Sequence, residues 1–186
     1  MKNDLIYSKK IETGRCFIIL YWKEAPEFRL TKIGLFDKTK IAHKKDIIPS
    51  GYYKEHKKIK KLEGSIISYF KERKPLEFSL QDFDFGECSG FSKKVLAALA
   101  EIPFGRIATY KTLAELSGFP GACRAVGSVM AKNSFPLLIP CHRVIKSDFS
   151  IGEFGLGREL KRFLLCHETS TNAFDEYTLK NEELLM

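Results

Sequence analysis

A cysteine and a histidine stand side by side at Cys141-His142, directly behind Pro140 and an apolar run over residues 136–139. A thiol is a strong nucleophile only as the thiolate, so a reactive cysteine needs a proton acceptor close by. A buried free cysteine is equally common as a small packing residue. The pair by itself therefore leaves nucleophilic chemistry and inert packing equally open, and the elements around it must decide.

The second half of the chain predicts the helices that position this pair. Ser92 and Thr109 are the residue types that cap helices, and Leu113 and Leu116 are expected on the inward face behind Thr109. From apolar periodicity and turn residues, helices are expected over residues 92–102, 110–117, 122–132 and 156–167. A glycine-bearing turn joins the second helix to the third, which indicates a helix-turn-helix.

The third of these helices is almost free of bulky side chains. Its small residues are Ala122, Cys123, Ala125, Gly127, Ser128 and Ala131. Gly127 costs about 1 kcal/mol relative to alanine inside a helix, so a close approach to another surface must offset it. A slim helix with the single cation Arg124 suits a narrow DNA groove, and tight packing inside the protein is an equally good explanation.

The first half is expected to be a mixed α/β unit. Strands are predicted over residues 15–22 and 28–36, and a helix over residues 54–73, followed by a connector over residues 74–90. The apolar stripe of that helix is Ile59, Leu62, Ile66 and Phe70. The opposite side carries Lys54, Lys57, Lys58, Lys60 and Lys61, a run that favours a solvated face over a DNA contact.

Composition narrows the class of protein. The 186 residues are 44% hydrophobic and 29% charged, with a net charge of +8, which fits a polyanion partner or plain solubility. No signal peptide or membrane-spanning helix is readable, so we expect a cytoplasmic, nucleoid-associated protein that does not bind membranes. The five cysteines are scattered, and neither a disulfide framework nor a metal site is predicted.

Taken together, residues 91–168 resemble the O6-alkylguanine-DNA alkyltransferases. The resemblance is carried by Ile102-Pro103-Phe104-Gly105, Thr109-Tyr110, Ala122-Cys123-Arg124-Ala125-Val126-Gly127, Asn133, the run from Ile139 to Val144, and Leu164-Leu165-Cys166-His167-Glu168. The block around Cys141 is highly specific. Residues 1–75 carry no motif of this kind, as is usual for the variable amino-terminal domain of the family.

The resemblance implies an α/β fold with two domains. Residues 1–88 are expected to form a mixed α/β domain, with a ribonuclease H-like three-stranded sheet, a helix and the connector. Residues 89–168 are expected to form a mostly helical domain that contains the helix-turn-helix and transfers the alkyl group. Residues 169–186 are expected to be a loose acidic tail.

It also implies an activity. Members bind duplex DNA through the minor groove, flip an O6-alkylguanine out of the stack, and move its alkyl group to the cysteine in an irreversible, single-turnover repair reaction. O4-alkylthymine is an expected second substrate. No cofactor is expected, and we expect the protein to act as a monomer.

The resemblance assigns roles residue by residue. Cys141 is the nucleophile, His142 takes its proton through a water, and Glu168 orients His142, in a relay of the triad kind. Tyr110 donates a hydrogen bond to the leaving guanine, and Arg124 fills the space left by the flipped base. The expected DNA-binding residues are Ala122, Arg124, Ala125 and Gly127. The expected substrate pocket consists of Asn133, Pro140, Val144, Phe154 and Gly155.

Some positions depart from the family pattern. Phe154 stands where many members have tyrosine, Gly155 replaces a serine seen in some, and Leu156 replaces a common glycine, which is expected to narrow the pocket.

Three other functions compete with alkyl transfer. A lesion-binding relative without repair activity would lack Cys141, and a transcription factor would offer more base-reading side chains than Arg124 alone. A cysteine hydrolase that uses Cys141, His142 and Glu168 stays open. Tyr110, Arg124, His142 and Glu168 each also have an ordinary structural explanation, as a core or surface residue.

Overall fold

The first half of the chain is organised around a three-stranded antiparallel sheet with the strand order β1-β2-β3. The strands are β1 (Tyr7–Glu12), β2 (Cys16–Lys23) and β3 (Arg29–Asp37). The predicted strands over residues 15–22 and 28–36 match β2 and β3 to within one residue at each end. Strand β1 was not predicted, because Lys9 and Lys10 interrupt its alternation and leave only Ser8 and Ile11 buried.

Helix α1 (Lys57–Glu72) follows the sheet. His56 caps its start by accepting a hydrogen bond from the backbone N–H of Lys58, and Arg73 ends it in the left-handed conformation with φ of 57°. The buried stripe is Ile59, Leu62, Ile66 and Tyr69. The expectation that Phe70 completes this stripe was wrong, because the helical rotation turns Tyr69 inward and leaves Phe70 only partly buried.

This computed structural model describes residues 5–41, 52–169, 174–175, 178–179 and 185–186. The chain divides into two compact units, residues 1–86 and 87–186. Most of the expected acidic tail lies outside the described residues, but those that are described belong to the second unit. Within the described part of the chain, no helix is long and apolar enough to cross a membrane.

The second unit contains four helices in its described residues. They are α2 (Gly90–Ala100), α3 (Tyr110–Leu116), α4 (Cys123–Ala131) and α5 (Arg158–Thr169), and the first three pack against one another. Thr109 caps α3 as predicted, accepting from the N–H of Thr112 at 3.0 Å. The expected cap of α2 was wrong. Ser89, three residues earlier, is the cap and accepts from the N–H of Ser92.

Leu116 does not face inward as expected, since 53% of it is exposed. The inward positions of α3 are Leu113, Ala114 and then Ser117, whose hydroxyl donates to the carbonyl of Leu113 at 2.6 Å. Spacing of four residues, rather than three, therefore sets the buried face of this short helix.

The second unit also contains two pairs of short strands. Strand β4 (Ala108–Thr109) pairs in parallel with β5 (Val144–Ile145), and β6 (Phe174–Asp175) pairs with β7 (Thr178–Leu179). Because α3 begins directly after β4, the β4–β5 pairing places the start of α3 beside the chain that leaves Cys141.

Candidate active site

Cys141 opens a single 3-10 turn, Cys141–Arg143, that leads into β5. The backbone turns tightly at Pro140, which has φ of −84° and ψ of 65°. As a result, the N–H of Cys141 donates to the carbonyl of Ile139 at 2.9 Å. The cysteine therefore sits at a sharp corner and not within a strand. It is 7% exposed.

The side chain of Asn133 holds this corner in place. Its Nδ2 donates to the carbonyl of Ile139 at 2.8 Å and to the Sγ of Cys141 at 3.4 Å, and its Oδ1 accepts from the N–H of Phe135 at 3.0 Å. Leu137, which lies in sequence between the two backbone positions that Asn133 contacts, is buried and has φ of 77°, a conformation that L side chains rarely adopt. The amide thus fixes the turn and points a donor at the thiol.

His142 is fully buried and contacts Glu168, in the last turn of α5. Its Nε2 lies 2.8 Å from Oε1 of Glu168. The guanidinium of Arg143 binds the same carboxylate through Nε at 2.7 Å and Nη2 at 2.9 Å, and its Nη1 donates to the carbonyl of Ile102 at 2.6 Å. A carboxylate near a helix C-terminus is unfavourable in the helix dipole, and these two partners offset that cost.

Charge and burial determine the protonation states of Glu168 and His142. Burial alone disfavours the ionised carboxyl, but His142 and the hydrogen bonds of Arg143 outweigh it and hold the pKa of Glu168 well below its usual range. Burial also lowers the pKa of His142, although Glu168 opposes that shift. At neutral pH the site therefore contains an ionised Glu168 and a neutral imidazole.

The ionised carboxylate fixes the tautomer of His142. A carboxylate only accepts hydrogen bonds, so Nε2 of His142 carries the hydrogen and Nδ1 carries a lone pair. Among the described residues, Nδ1 has no hydrogen-bond partner. The neutral imidazole is thus oriented to accept a proton at Nδ1.

Lys161 of α5 is a second buried cation near the thiol. It is fully buried, and its Nζ donates to the carbonyl of Val144 at 2.6 Å. Burial lowers the pKa of Lys161 to about 8, opposed by Cys141 and Glu153. Burial raises the pKa of the Cys141 thiol, while the hydrogen bond from Asn133 and the charge of Lys161 act in the opposite direction. Asn133 and Lys161 thus favour the thiolate that burial disfavours.

Tyr110, the first residue of α3, lies near Cys141. Its ring lies 3.7 Å from the position that a Cβ would take at Gly127 and 3.7 Å from the one at Gly152. Burial raises the pKa of Tyr110, and the nearby Cys141 and Glu153 raise it further. The phenol therefore stays protonated at neutral pH and is available as a donor.

The outer side of α4 combines exposure with small size. Arg124, Ala125 and Ser128 are exposed, and Ala122 precedes the helix without a side-chain cap. Gly127 is half-buried, and a Cβ there would make only ordinary contact with Tyr110. Internal packing therefore does not require glycine at this position, which weakens the tight-packing explanation.

The expected pocket residues differ in exposure. Pro140 and Val144 are buried beside Cys141 in sequence, Phe154 is half-buried and Gly155 is exposed. Both of the latter belong to the loop between β5 and α5. Leu156 also lies in this loop, because α5 begins at Arg158 and not at residue 156 as expected.

The lysines of the first unit are mostly matched by acids. Within the lysine run predicted from the sequence, the ion pairs are Lys54–Glu24, Lys58–Asp82, Lys60–Glu55 and Lys61–Glu77. Lys9, Lys23, Lys38 and Lys74 also pair with acids. Exposed pairs of this kind add little stability, but they balance the local charge. This favours the solvated-face interpretation over a DNA contact.

Comparison with known proteins identifies the family. The sequence profile described as "6-O-methylguanine DNA methyltransferase, DNA binding domain" matches residues 90–170. A methylated-DNA–protein-cysteine methyltransferase of Methanosarcina barkeri is 36% identical over 121 residues, which cover 63% of this chain and 73% of that protein. This chain belongs to the methylated-DNA–protein-cysteine methyltransferase family.

Two further family members resemble the chain. The protein of the same name from Methanothermobacter thermautotrophicus is 40% identical over 107 residues, 58% of this chain. The matched stretch spans only 59% of the length of that relative. The crystal structure of Mycobacterium tuberculosis OGT in complex with DNA has a TM-score of 0.70 and 26% identity, and covers 88% of this chain and 93% of that one.

Two cations of this methyltransferase-family site were not predicted from the sequence. Arg143 lies inside the Cys141 motif, and Lys161 lies on α5. Helical spacing contained the signal for Lys161, because Lys161, Leu165 and Glu168 share one face of α5 and all three are buried. Arg143 offered no comparable signal, since its partner Glu168 is distant in sequence.

Proposed function

We propose that this protein repairs duplex DNA by moving the alkyl group of an O6-alkylguanine onto Cys141, with O4-alkylthymine as a second substrate. The observation that carries the proposal is the buried Cys141 thiol beside His142, whose Nε2 is anchored by Glu168 at 2.8 Å. Family membership and the DNA-bound Mycobacterium tuberculosis neighbour support DNA as the partner.

The reaction is a displacement at the alkyl carbon. His142 accepts the thiol proton at Nδ1 through a water, and the sulfur lone pair forms a bond to the alkyl carbon as the C–O6 bond breaks. The electron pair of that bond goes to O6, and the proton passes to the guanine. Tyr110 donates a hydrogen bond to the leaving guanine, which stabilises the charge that develops on the base.

Burial of the thiol requires that the base leave the duplex. Cys141 is 7% exposed, and Pro140 and Val144 on either side of the turn are buried. The alkyl carbon of a stacked guanine cannot approach such an atom, so the nucleotide must be flipped into the protein. Asn133, Pro140, Val144, Phe154 and Gly155 then enclose the base and its alkyl group.

The outer side of α4 supports a minor-groove contact through a helix-turn-helix made of α3 and α4. Ala122, Ala125 and Gly127 let the helix approach the groove closely, and Arg124 occupies the space that the flipped base leaves. The exposed backbone N–H groups at the start of α4 favour a phosphate.

The product limits each molecule to one reaction. A thioether is not cleaved by a neighbouring imidazole or carboxylate, so a repaired lesion consumes one protein chain without any cofactor. We propose that the protein acts as a monomer on nucleoid DNA in the cytoplasm.

Intact-mass measurement tests the function. Incubation with duplex DNA that contains O6-methylguanine should add one methyl group, about 14 Da, to the peptide that holds Cys141. The matched variant Cys141→Ser should gain no mass. Folded wild-type protein that gains no methyl group, or a Cys141→Ser variant that does, would contradict the proposal.

A further inference from the structure

Leu179, within the stretch expected to be a loose tail, is a core residue. It is 6% exposed and packs in a cluster with Ile107, Ile145, Ile151 and Leu165. Removing a leucine side chain from water stabilises the fold through the hydrophobic effect. Leu179, with the partly buried Leu185 packed against the same cluster, therefore belongs to the hydrophobic core of the second unit.

The same residue holds the loop that follows β5. The N–H of Leu179 donates to the carbonyl of Phe149 at 2.9 Å, and Thr178 forms an antiparallel bridge with Ser150. Phe149 has φ of 62°, a conformation that a phenylalanine adopts only with support from its surroundings. Leu179 supplies part of that support.

The loop that contains Phe149 continues towards the residues of the proposed substrate pocket. After Ser150 come the buried Ile151 and Gly152, and a Cβ at Gly152 would lie 3.7 Å from the ring of Tyr110. The loop then passes through Phe154 and Gly155 before α5. Phe149 thus lies only a few residues in sequence from the proposed wall of the alkyl pocket.

A second anchor reaches the segment that leads into Tyr110. The N–H of Met186 donates to the carbonyl of Ile107 at 2.9 Å, and Nη2 of Arg106 donates to the carbonyl of Leu185 at 2.6 Å. Ile107 directly precedes β4, and Tyr110 directly follows β4. Residues 178–179 and 185–186 therefore contact the chain segments that carry Phe154 and Tyr110, respectively.

We infer that residues 174–175, 178–179 and 185–186 form a strap that sets the width of the alkyl pocket, with Leu179 as its main positioning residue. The inference rests on the proposed function. The strap ties the loop bearing Phe154 and the segment bearing Tyr110 to one hydrophobic cluster, so it fixes the distance between the two sides of the pocket. Loosening it should widen the pocket and reduce discrimination against bulky alkyl groups.

Substrate selectivity tests the strap in the full-length protein. The variants are Leu179→Ala, the conservative Leu179→Ile, and Leu99→Ala as a matched control at a fully buried position of α2. Rate constants are measured for benzyl and for methyl transfer from the same duplex DNA, which carries O6-benzylguanine or O6-methylguanine at one position. The benzyl-to-methyl ratio should rise about tenfold in Leu179→Ala, because small displacements of a positioned substrate have large effects on rate.

The controls separate selectivity from stability. Leu179→Ile should restore the wild-type ratio, and Leu99→Ala should lose thermal stability with the ratio unchanged. A wild-type ratio in Leu179→Ala would overturn the strap, and so would an equal rise in Leu99→Ala.

Hydrogen exchange distinguishes failure of the strap from failure of the proposed function. Amides of residues 104–112 and 146–156 should exchange faster in Leu179→Ala and not in Leu99→Ala, since exchange reports local opening without any reaction. Absence of transfer in the wild type contradicts the proposed function alone. Unchanged exchange in both segments contradicts the strap, whether or not the protein transfers alkyl groups.

Discussion

Glu168 and Arg143 form a bidentate pair, with Nε of Arg143 2.7 Å from Oε2 and Nη2 2.9 Å from Oε1 of the carboxylate. Oε1 also contacts Nε2 of His142 at 2.8 Å. One carboxylate therefore neutralises a buried cation and fixes the tautomer of the proposed base. Since Arg143 also binds the carbonyl of Ile102, the same group links α5 to the end of α2. Stability and reactivity are coupled through Glu168.

Glu168→Gln is expected to reduce both properties. Loss of one partner leaves Arg143 buried without a counter-charge, which should lower the free energy of unfolding by about 3–5 kcal/mol. Because the amide oxygen that replaces the carboxylate carries no charge to stabilise the protonated imidazole, alkyl transfer should slow by a factor of about 10² or more. Urea unfolding and the time course of methyl transfer measure the two effects. Glu159→Gln, an exposed acid on the same helix, is the control and should leave both unchanged.

Lys161→Met is expected to raise stability but to lower activity. Burial lowers the pKa of Lys161 from 10.5 to about 8, so at pH 7 the folded protein keeps a buried charge at a cost in stability. Methionine should raise the free energy of unfolding at pH 7 by about 2 kcal/mol, since one pKa unit corresponds to about 1.4 kcal/mol and the hydrogen bond to Val144 is lost. Transfer should slow about tenfold, because the thiolate of Cys141 loses a nearby cation.

The pH dependence of stability tests whether the buried charge of Lys161 destabilises the folded protein. Between about pH 8 and 10.5 the unfolded chain binds a proton at Lys161 that the folded chain does not, so wild-type stability should gain from this group as pH rises through that window. The gain should be missing in Lys161→Met and present in Lys93→Met, which alters an exposed lysine of α2. Parallel pH profiles for wild type and Lys161→Met would contradict the assignment of this charge.

Asn133→Asp tests the contact between the amide and the thiol. The shape is kept, but an anionic oxygen replaces the group that donates to Ile139 and to Sγ of Cys141. The pKa of the thiol, already raised by burial, should rise further, and transfer at pH 7 should slow by about 10²-fold. Raising the pH should recover the rate of Asn133→Asp more steeply than that of the wild type. Ser134→Asp adds the same charge at an exposed neighbour and should have little effect.

Local chemistry explains what the sequence predicts well in this protein. Thr109 caps α3 through a contact only three residues away, and the bounds of α3 and α4 follow the prediction to within one residue at each end. Cys141 and His142 are adjacent, so their proximity needed no tertiary information.

Tertiary contacts explain the features that the sequence does not predict. Arg143 and Lys161 are charged residues of types that usually lie at the surface, and only the fold brings Glu168 and the carbonyl of Val144 to them. Leu179 lies in a polar, acidic stretch, and its burial depends on a cluster assembled from Ile107, Ile145 and Leu165, which are far away in sequence. These are the positions at which charge and composition mislead.

Arg124→Ala separates DNA handling from the chemistry at Cys141. Arg124 is exposed on α4, so the variant should keep its fold and melting temperature. Methyl transfer from duplex DNA should fall by a factor of about 10 to 10², because the flipped base is no longer replaced in the stack. Benzyl transfer from free O6-benzylguanine, which needs no flipping, should keep its wild-type rate. Lys93→Ala, which removes an exposed cation from α2, should change neither rate. Equal losses with both substrates in Arg124→Ala would place its role in the pocket, and unchanged duplex repair would remove α4 from the DNA-binding surface.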